Sequence, residues 1–193
     1  MNISRDEAAA ALGEVDKAGE RVKTVQLYAG AAPFMILWGA IWLVGNGVVD
    51  LWPQHGFTAW IVCTSAGMAT SLWLTIRNSL SWERRYALSP LERRALGRRF
   101  ALLGITLIAF FPATFAVVGP LGPRQGNAFA SLIWAFVYMA AGAWVGWRLF
   151  AIGLVTAVAI EFGFFFIHQH YFMWMGVVGG GALIAGGLWL RKI

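Results

Sequence analysis

The chain has 193 residues, of which 59% are hydrophobic and only 12% are charged, and its mean hydropathy is +0.66. Soluble domains have about 45–50% apolar and about 25% charged residues, so this composition excludes an ordinary soluble protein and indicates a membrane protein of one domain. The net charge of +6 could suggest nucleic acid as a partner, but the basic residues lie between apolar runs, where membrane topology and anionic lipid account for them. We therefore expect membrane lipid, and no nucleic acid, as their partner.

Residues 1–27 are predicted to form an amphipathic helix ahead of the first span. Ser4 and Glu7 have the spacing of a capping box, in which each side chain satisfies a free amide of the first helical turn. The apolar residues that then recur at helical spacing are Leu12, Val15, Val22 and Val25. This stripe favours a helix lying on the membrane, on the bundle or on another protein. The segment lacks a basic region followed by an apolar core, so we expect no cleaved signal peptide.

Six apolar segments long enough to cross a membrane follow this helix. The predicted spans are about residues 28–52, 57–77, 100–118, 128–147, 149–168 and 171–190. Pro112 is expected to kink the third span, and the loop over residues 119–127 is expected to be the longest irregular connection. The fold class is therefore an all-α integral membrane protein with a six-transmembrane-helix bundle in residues 28–193. Three successive helical hairpins are one arrangement that fits.

Arginine is concentrated between the second and third spans, where a helix is also expected to begin at Ser89-Pro90. Of the 15 lysine and arginine residues, all but Arg124 fall on the N-terminal side of the predicted membrane. The positive-inside rule then predicts that both termini are cytoplasmic. The arginines expected to contact anionic lipid on that side are Arg84, Arg85, Arg93, Arg94, Arg98 and Arg99.

Three short motifs carry a resemblance to known proteins. They are SRDEAAAAL near the start, LWGAIWLVGNG in the first span and GGLWLRK at the end. With these motifs the chain resembles a family of small six-span bacterial inner-membrane proteins with no assigned activity, and the resemblance covers most of the chain. It implies the same topology and a location in the bacterial inner (plasma) membrane. The motifs are packing and interface features, so the resemblance implies no activity.

Glu161 is the only acidic residue well inside a predicted span. A carboxylate in hydrocarbon costs about 3 kcal/mol unless it is protonated, paired or hydrated, so it marks a candidate functional site. Asn46 and Asp50 are four residues apart and share one face of the first span. The predicted topology puts these residues in the outer half of the membrane. The candidate ligand-binding residues are Asn46, Asp50, Cys63, Glu161 and His168.

Three interpretations of these residues are open. The first is an outward-facing polar pocket that responds to a proton or a ligand. The second is a metal site, whose ligands would include His55, His168 and His170, although no pair of them has a diagnostic spacing. The third is structural, with Glu161 as a neutral hydrogen-bond partner between helices.

No recognisable catalytic motif or phosphate-binding glycine loop occurs in the sequence, so we expect neither an enzyme nor a cofactor. The expected function is transport or sensing of a small solute or ion through an outward-facing pocket that contains Glu161. One alternative is a membrane-embedded regulatory or scaffold protein that engages a cytoplasmic protein partner through residues 1–27 and the arginine-rich loop. Another is a periplasm-facing metal-binding protein. A homo-oligomer is compatible with all three.

Overall fold

The chain folds into long helices joined by short turns. The structure, a computed structural model, describes residues 5–85 and 90–192. Helices α1 to α5 are Arg5–Leu51, Gly56–Arg85, Pro90–Val118, Pro123–Val145 and Trp147–Phe166. A short 3₁₀ turn connects α1 and α2. At the end of the chain, three elements follow one another without a break: α6 (Tyr171–Trp174), a π-helical segment (Met175–Gly180) and α7 (Gly181–Leu190). The described residues contain no strand, which confirms the all-α class.

Five helices within the described residues are long and apolar enough to cross a membrane. They are Ala11–Leu51, Pro53–Arg77, Pro123–Val145, Trp147–Phe166 and Tyr171–Leu190. They correspond to the predicted first, second, fourth, fifth and sixth spans, and confirm a membrane protein with transmembrane helices. The third predicted span lies within α3, whose backbone is helical but many of whose side chains are not described. The count of six therefore stays a prediction.

The predicted N-terminal helix and the predicted first span form one helix in the structure. Helix α1 continues from Arg5 to Leu51 and passes through Pro33, which removes one hydrogen bond from its ladder. The two predicted segments meet at residues 27 and 28, and neither residue is a helix breaker. The helix therefore continues across this boundary. Ser4, the predicted cap, lies outside the described residues.

Helix α4 also begins earlier than predicted. Its first residue is Pro123 rather than residue 128, so part of the predicted loop is helical. Proline fits the first helical position because its missing N–H has no acceptor there. The Gly122 amide donates to Oε1 of Gln125 at 3.2 Å, which closes the first turn. Similarly, α3 begins at Pro90, as predicted, although Ser89 lies outside the described residues.

The core is built from two close helix pairs. Helix α1 packs along the whole last helix, Tyr171–Leu190, which we call the final span, and α4 packs antiparallel against α5. A Cβ atom added to Gly39 would lie 2.6 Å from the carbonyl oxygen of Gly180, and one added to Gly180 would lie 2.6 Å from that of Gly39. The backbones therefore touch at a position where only glycine fits. The α4–α5 pair joins the fourth and fifth predicted spans, and α1 also contacts α2, so the arrangement in three successive hairpins stays a prediction.

Because α1 and the final span approach each other closely, we expect alanine to change the stability of the protein differently at Gly180 and at Gly181. We expect Gly180→Ala to lower the free energy of unfolding in detergent micelles by about 1–3 kcal/mol, because its new methyl group overlaps the α1 backbone. Gly181 is a matched control because an added Cβ there meets nothing within 4 Å. Equal unfolding free energies for Gly180→Ala and Gly181→Ala would contradict this packing.

Candidate functional site

Polar side chains meet at one end of the bundle, where α1 and α5 end and where α2, α4 and α6 begin. We call it the His170 end. The residues that form hydrogen bonds or close ring contacts there, named the polar cluster from here on, are Asn46, Asp50, Arg124, Asn127, His170 and Tyr171. They come from α1, from the start of α4 and from the start of the final span.

A chain of amides connects three helices in the polar cluster. The Asn46 side chain is 1% exposed; its Nδ2 donates to the carbonyl of Trp42 at 3.0 Å, and its Oδ1 accepts from Nδ2 of Asn127 at 2.9 Å. The Tyr171 hydroxyl donates to Oδ1 of Asn127 at 3.4 Å, a long and weak hydrogen bond. The buried amide of Asn46 thus has both kinds of partner, and it fixes α4 against α1.

Arg124 closes the end of α5. Its Nη2 donates to the carbonyl oxygens of Phe164 and of Ile167, the latter at 3.2 Å, in the last turn of that helix. Its guanidinium lies 5.4 Å from the ring centroid of Phe164 and 4.9 Å from that of Tyr171. A cation at a helix C-terminus interacts favourably with the free carbonyls and the helix dipole. The Nε atom of Arg124 is buried and has no acceptor among the described residues.

Asp50 connects an exposed histidine to the start of the final span. Its side chain is only 6% exposed, and its Oδ2 lies 2.7 Å from Nδ1 of His170, which is 76% exposed. Its Oδ1 accepts from the backbone N–H of Met173 at 3.3 Å, within the first turn of the final span. His170 has a left-handed backbone conformation with φ of 54°, which is uncommon for a residue other than glycine. One buried carboxylate therefore contacts both a solvent-exposed ring and a helix N-terminus.

The other predicted ligand-binding residues lie apart from these hydrogen bonds. Glu161 is exposed on α5, in a groove of about 350 Å³ whose other lining residues are Ala157, Val158, Phe162, Phe165 and Phe166. No hydrogen bond or salt bridge joins its carboxylate to another residue in the described ranges. Cys63 is half-buried on α2, and His168 is exposed after the end of α5. The structure thus brings together Asn46 and Asp50, and it does not bring Glu161, Cys63 or His168 into the polar cluster.

The structure describes some of the residues predicted to bind metal or lipid. Within the described part of the chain, no group of three or more histidine, cysteine, aspartate or glutamate residues is arranged to hold a metal ion. Of the predicted lipid-binding arginines, Arg94 and Arg98 are exposed. The side chains of the other four, Arg84, Arg85, Arg93 and Arg99, lie outside the described residues.

Three members of the polar cluster were missed by reasoning from the sequence. Asn127 and Arg124 fell in a predicted loop, and Tyr171 was indistinguishable from an interfacial aromatic residue. Arg124 did carry a usable signal, because it is the only basic residue on its side of the predicted membrane. Comparison with known proteins adds nothing further, since no protein-family model, curated protein or solved structure matches the chain.

The Asn46–Asn127 hydrogen bond predicts a measurable coupling between α1 and α4. In a double-mutant cycle of Asn46→Ala and Asn127→Ala, we expect a coupling free energy of about 0.5–1.5 kcal/mol, the usual range for hydrogen bonds between membrane helices. The measurement is the unfolding free energy of the four proteins in detergent micelles. A coupling indistinguishable from zero would show that the two amides do not interact.

The exposure of Glu161 predicts that removing its carboxyl group stabilises the protein. We expect Glu161→Leu to raise the free energy of unfolding in lipid nanodiscs by about 1 kcal/mol or more, because a polar group then leaves an apolar surface. A loss of stability would instead support the interpretation that Glu161 is a satisfied hydrogen-bond partner between helices. Val158→Leu, in the same groove, controls for the added apolar bulk.

Proposed function

We propose that the protein is a membrane sensor of a small solute or ion, and that its responsive element is the Asp50–His170 pair. In this proposal the membrane is the bacterial inner membrane, and the His170 end faces outward. The distribution of charge supports that orientation, because positively charged residues avoid the outer side of membrane helices. Basic side chains at the opposite end of the described bundle include Lys17, Arg21, Arg148 and Arg191.

The proposal rests on the difference in solvent exposure between two residues in contact, since Nδ1 of His170 lies 2.7 Å from Oδ2 of Asp50. His170 is open to solvent, whereas the Asp50 carboxylate that it touches is almost fully buried. A solute or ion that binds at the exposed ring therefore acts directly on a buried group that also binds the Met173 amide.

The final span has a feature suited to receiving such a signal. Its first regular turn is followed at once by the π-helical segment Met175–Gly180, a rare and wide helical form that occurs frequently at functional sites. Gly176 and Gly180 of this segment lie against the α1 backbone near Leu43 and Gly39. Asp50 binds the first turn of the final span, and the π-helical segment follows directly after that turn. A change in the hydrogen bond between Asp50 and the Met173 amide would therefore act next to a segment with non-standard hydrogen bonding.

Removing the His170 ring should change the protection of the final span. Nδ1 of His170 lies 2.7 Å from Oδ2 of Asp50, whose Oδ1 accepts from the Met173 amide, so loss of the ring should loosen the first turn of that span. Because His170 is mostly exposed, solvent screening limits the effect, and we expect amide protection in residues 171–180 to be about two- to fivefold lower in His170→Gln than in the wild type. Hydrogen–deuterium exchange in nanodiscs measures this ratio.

The chain offers a matched control for that experiment. The other charged or titratable groups at the His170 end are His55, His168, Arg124, Glu161 and Tyr171, and no hydrogen bond or salt bridge joins any of them to His170 within the described residues. His168→Gln, which alters an exposed histidine two residues away, should leave the protection of residues 171–180 unchanged, whereas His170→Gln should lower it. If both variants behave like the wild type, the Asp50–His170 pair is not the sensor.

A regulatory or scaffold protein is the second candidate. The observation that favours it is the exposed apolar stripe on the N-terminal part of α1, where Leu12, Val15 and Val22 are 66%, 67% and 55% exposed. In that role, the stripe binds a protein partner. The two candidates can be distinguished with the purified protein. In a sensor, the amide protection of residues 171–180 depends on His170 without any partner, whereas a scaffold changes only when its partner is present.

A further inference from the structure

A groove at the opposite end of the bundle from His170 combines several positive charges. It lies between α1 and the α4–α5 junction and has a volume of about 660 Å³. Lys17 and Arg21 line it from α1, and Arg148 lines it from the first turn of α5. Helical spacing places Lys17, Arg21, Thr24 and Tyr28 along one side of α1, so the groove follows that face. We call it the basic groove.

Among the residues that the structure describes, none neutralises the positive charge of the basic groove. No described carboxylate lines it, and no salt bridge joins Lys17, Arg21 or Arg148 to another residue in the described ranges. The Arg148 guanidinium is held 4.9 Å above the ring of Trp189, an arrangement that fixes the group without cancelling its charge. Lys17 and Arg21 are exposed, so both ammonium and guanidinium groups are available to a ligand.

The backbone at the α4–α5 junction adds hydrogen-bond donors of the same polarity. The chain turns at Gly146, whose φ is 145°, and α5 begins at the next residue. A Cβ atom at Gly146 would overlap the Tyr28 hydroxyl, so this sharp turn against α1 requires glycine. The Leu149 amide donates to the Gly146 carbonyl at 3.1 Å, whereas the two amides before it, those of Trp147 and Arg148, have no acceptor within the helix and carry the positive end of its dipole. An anion in the basic groove would therefore meet side-chain cations and backbone N–H groups together.

The surroundings of the basic groove are those of a lipid headgroup layer. Trp147 lines the groove, is 66% exposed and packs edge-on against Trp189 with a centroid distance of 5.4 Å. Tryptophan is enriched at this depth of a membrane, where one side of the ring meets hydrocarbon and the other meets water. Basic pockets between membrane helices at this level bind phosphate-bearing lipid headgroups.

We propose that the basic groove binds the phosphate of an anionic phospholipid headgroup through Lys17, Arg21 and Arg148. This site is distinct from the arginine-rich segment between α2 and α3, and it does not depend on the function proposed for the His170 end. Its role is to anchor α1 to the α4–α5 pair through a bound lipid.

Lipid binding can be measured by native mass spectrometry of the full-length protein in detergent, titrated separately with phosphatidylglycerol and phosphatidylcholine. We expect phosphatidylglycerol to bind more tightly. In the double variant Lys17→Gln/Arg21→Gln, its affinity should fall about twenty-fivefold, since each basic residue near an anionic surface is worth roughly a factor of five. Both altered side chains are exposed, so the fold should survive, which circular dichroism can verify.

The double variant Arg191→Gln/Lys192→Gln is the matched control, because it removes two exposed positive charges at the same end of the bundle. It should lower the affinity for phosphatidylglycerol less than threefold. Equal losses in the two double variants would overturn the proposal in favour of diffuse surface charge, and equal affinity for the two lipids would also overturn it. Inorganic phosphate forms a third arm: stabilisation of the protein by millimolar phosphate as strong as that by phosphatidylglycerol would make free phosphate the ligand.

Discussion

The contact on which the arrangement of the molecule depends is the close approach of α1 to the final span. Apolar side chains gain little by leaving lipid for a protein interior, so membrane helices associate through tight packing and hydrogen bonds. Gly39 and Gly180 bring the two backbones together at mid-helix. This contact also determines where Asn46 and Asp50 of α1 lie, because it places them beside the start of the final span. The glycine packing between α1 and the final span therefore brings the residues of the polar cluster together.

The sequence predicted the helices well, but it predicted less well which side of each helix packs against another helix. Apolar run length identified five of the spans that the structure contains, and Pro90 correctly marked the start of α3, because both signals are local. The spacing of Asn46 and Asp50 likewise places them on one face of α1, whatever packs against it. Which helix lies opposite that face depends on contacts between residues far apart in the chain, and no periodicity encodes those contacts.

Glu161 illustrates this limit. A carboxylate inside an apolar run signals a special position, but the same signal is produced by a buried group and by one that faces lipid. The structure places the residue on the exposed side of α5 because Thr156, Ile160 and Gly163 occupy the side that packs into the bundle. Arg124 is the converse case: it looks like a loop residue in the sequence, yet it holds the end of α5 because α4 begins within that loop.

The unbroken course of α1 has a mechanical consequence. A helix of 47 residues is about 70 Å long at a rise of 1.5 Å per residue, whereas the hydrocarbon layer is about 30 Å thick. The length of α1 therefore exceeds the thickness of the apolar layer by roughly 40 Å. Rotating α1 by about 10° where it leaves the apolar layer would displace its N-terminal end sideways by about 7 Å over that distance. A small rotation of α1 thus becomes a displacement the width of a side chain at its N-terminal end.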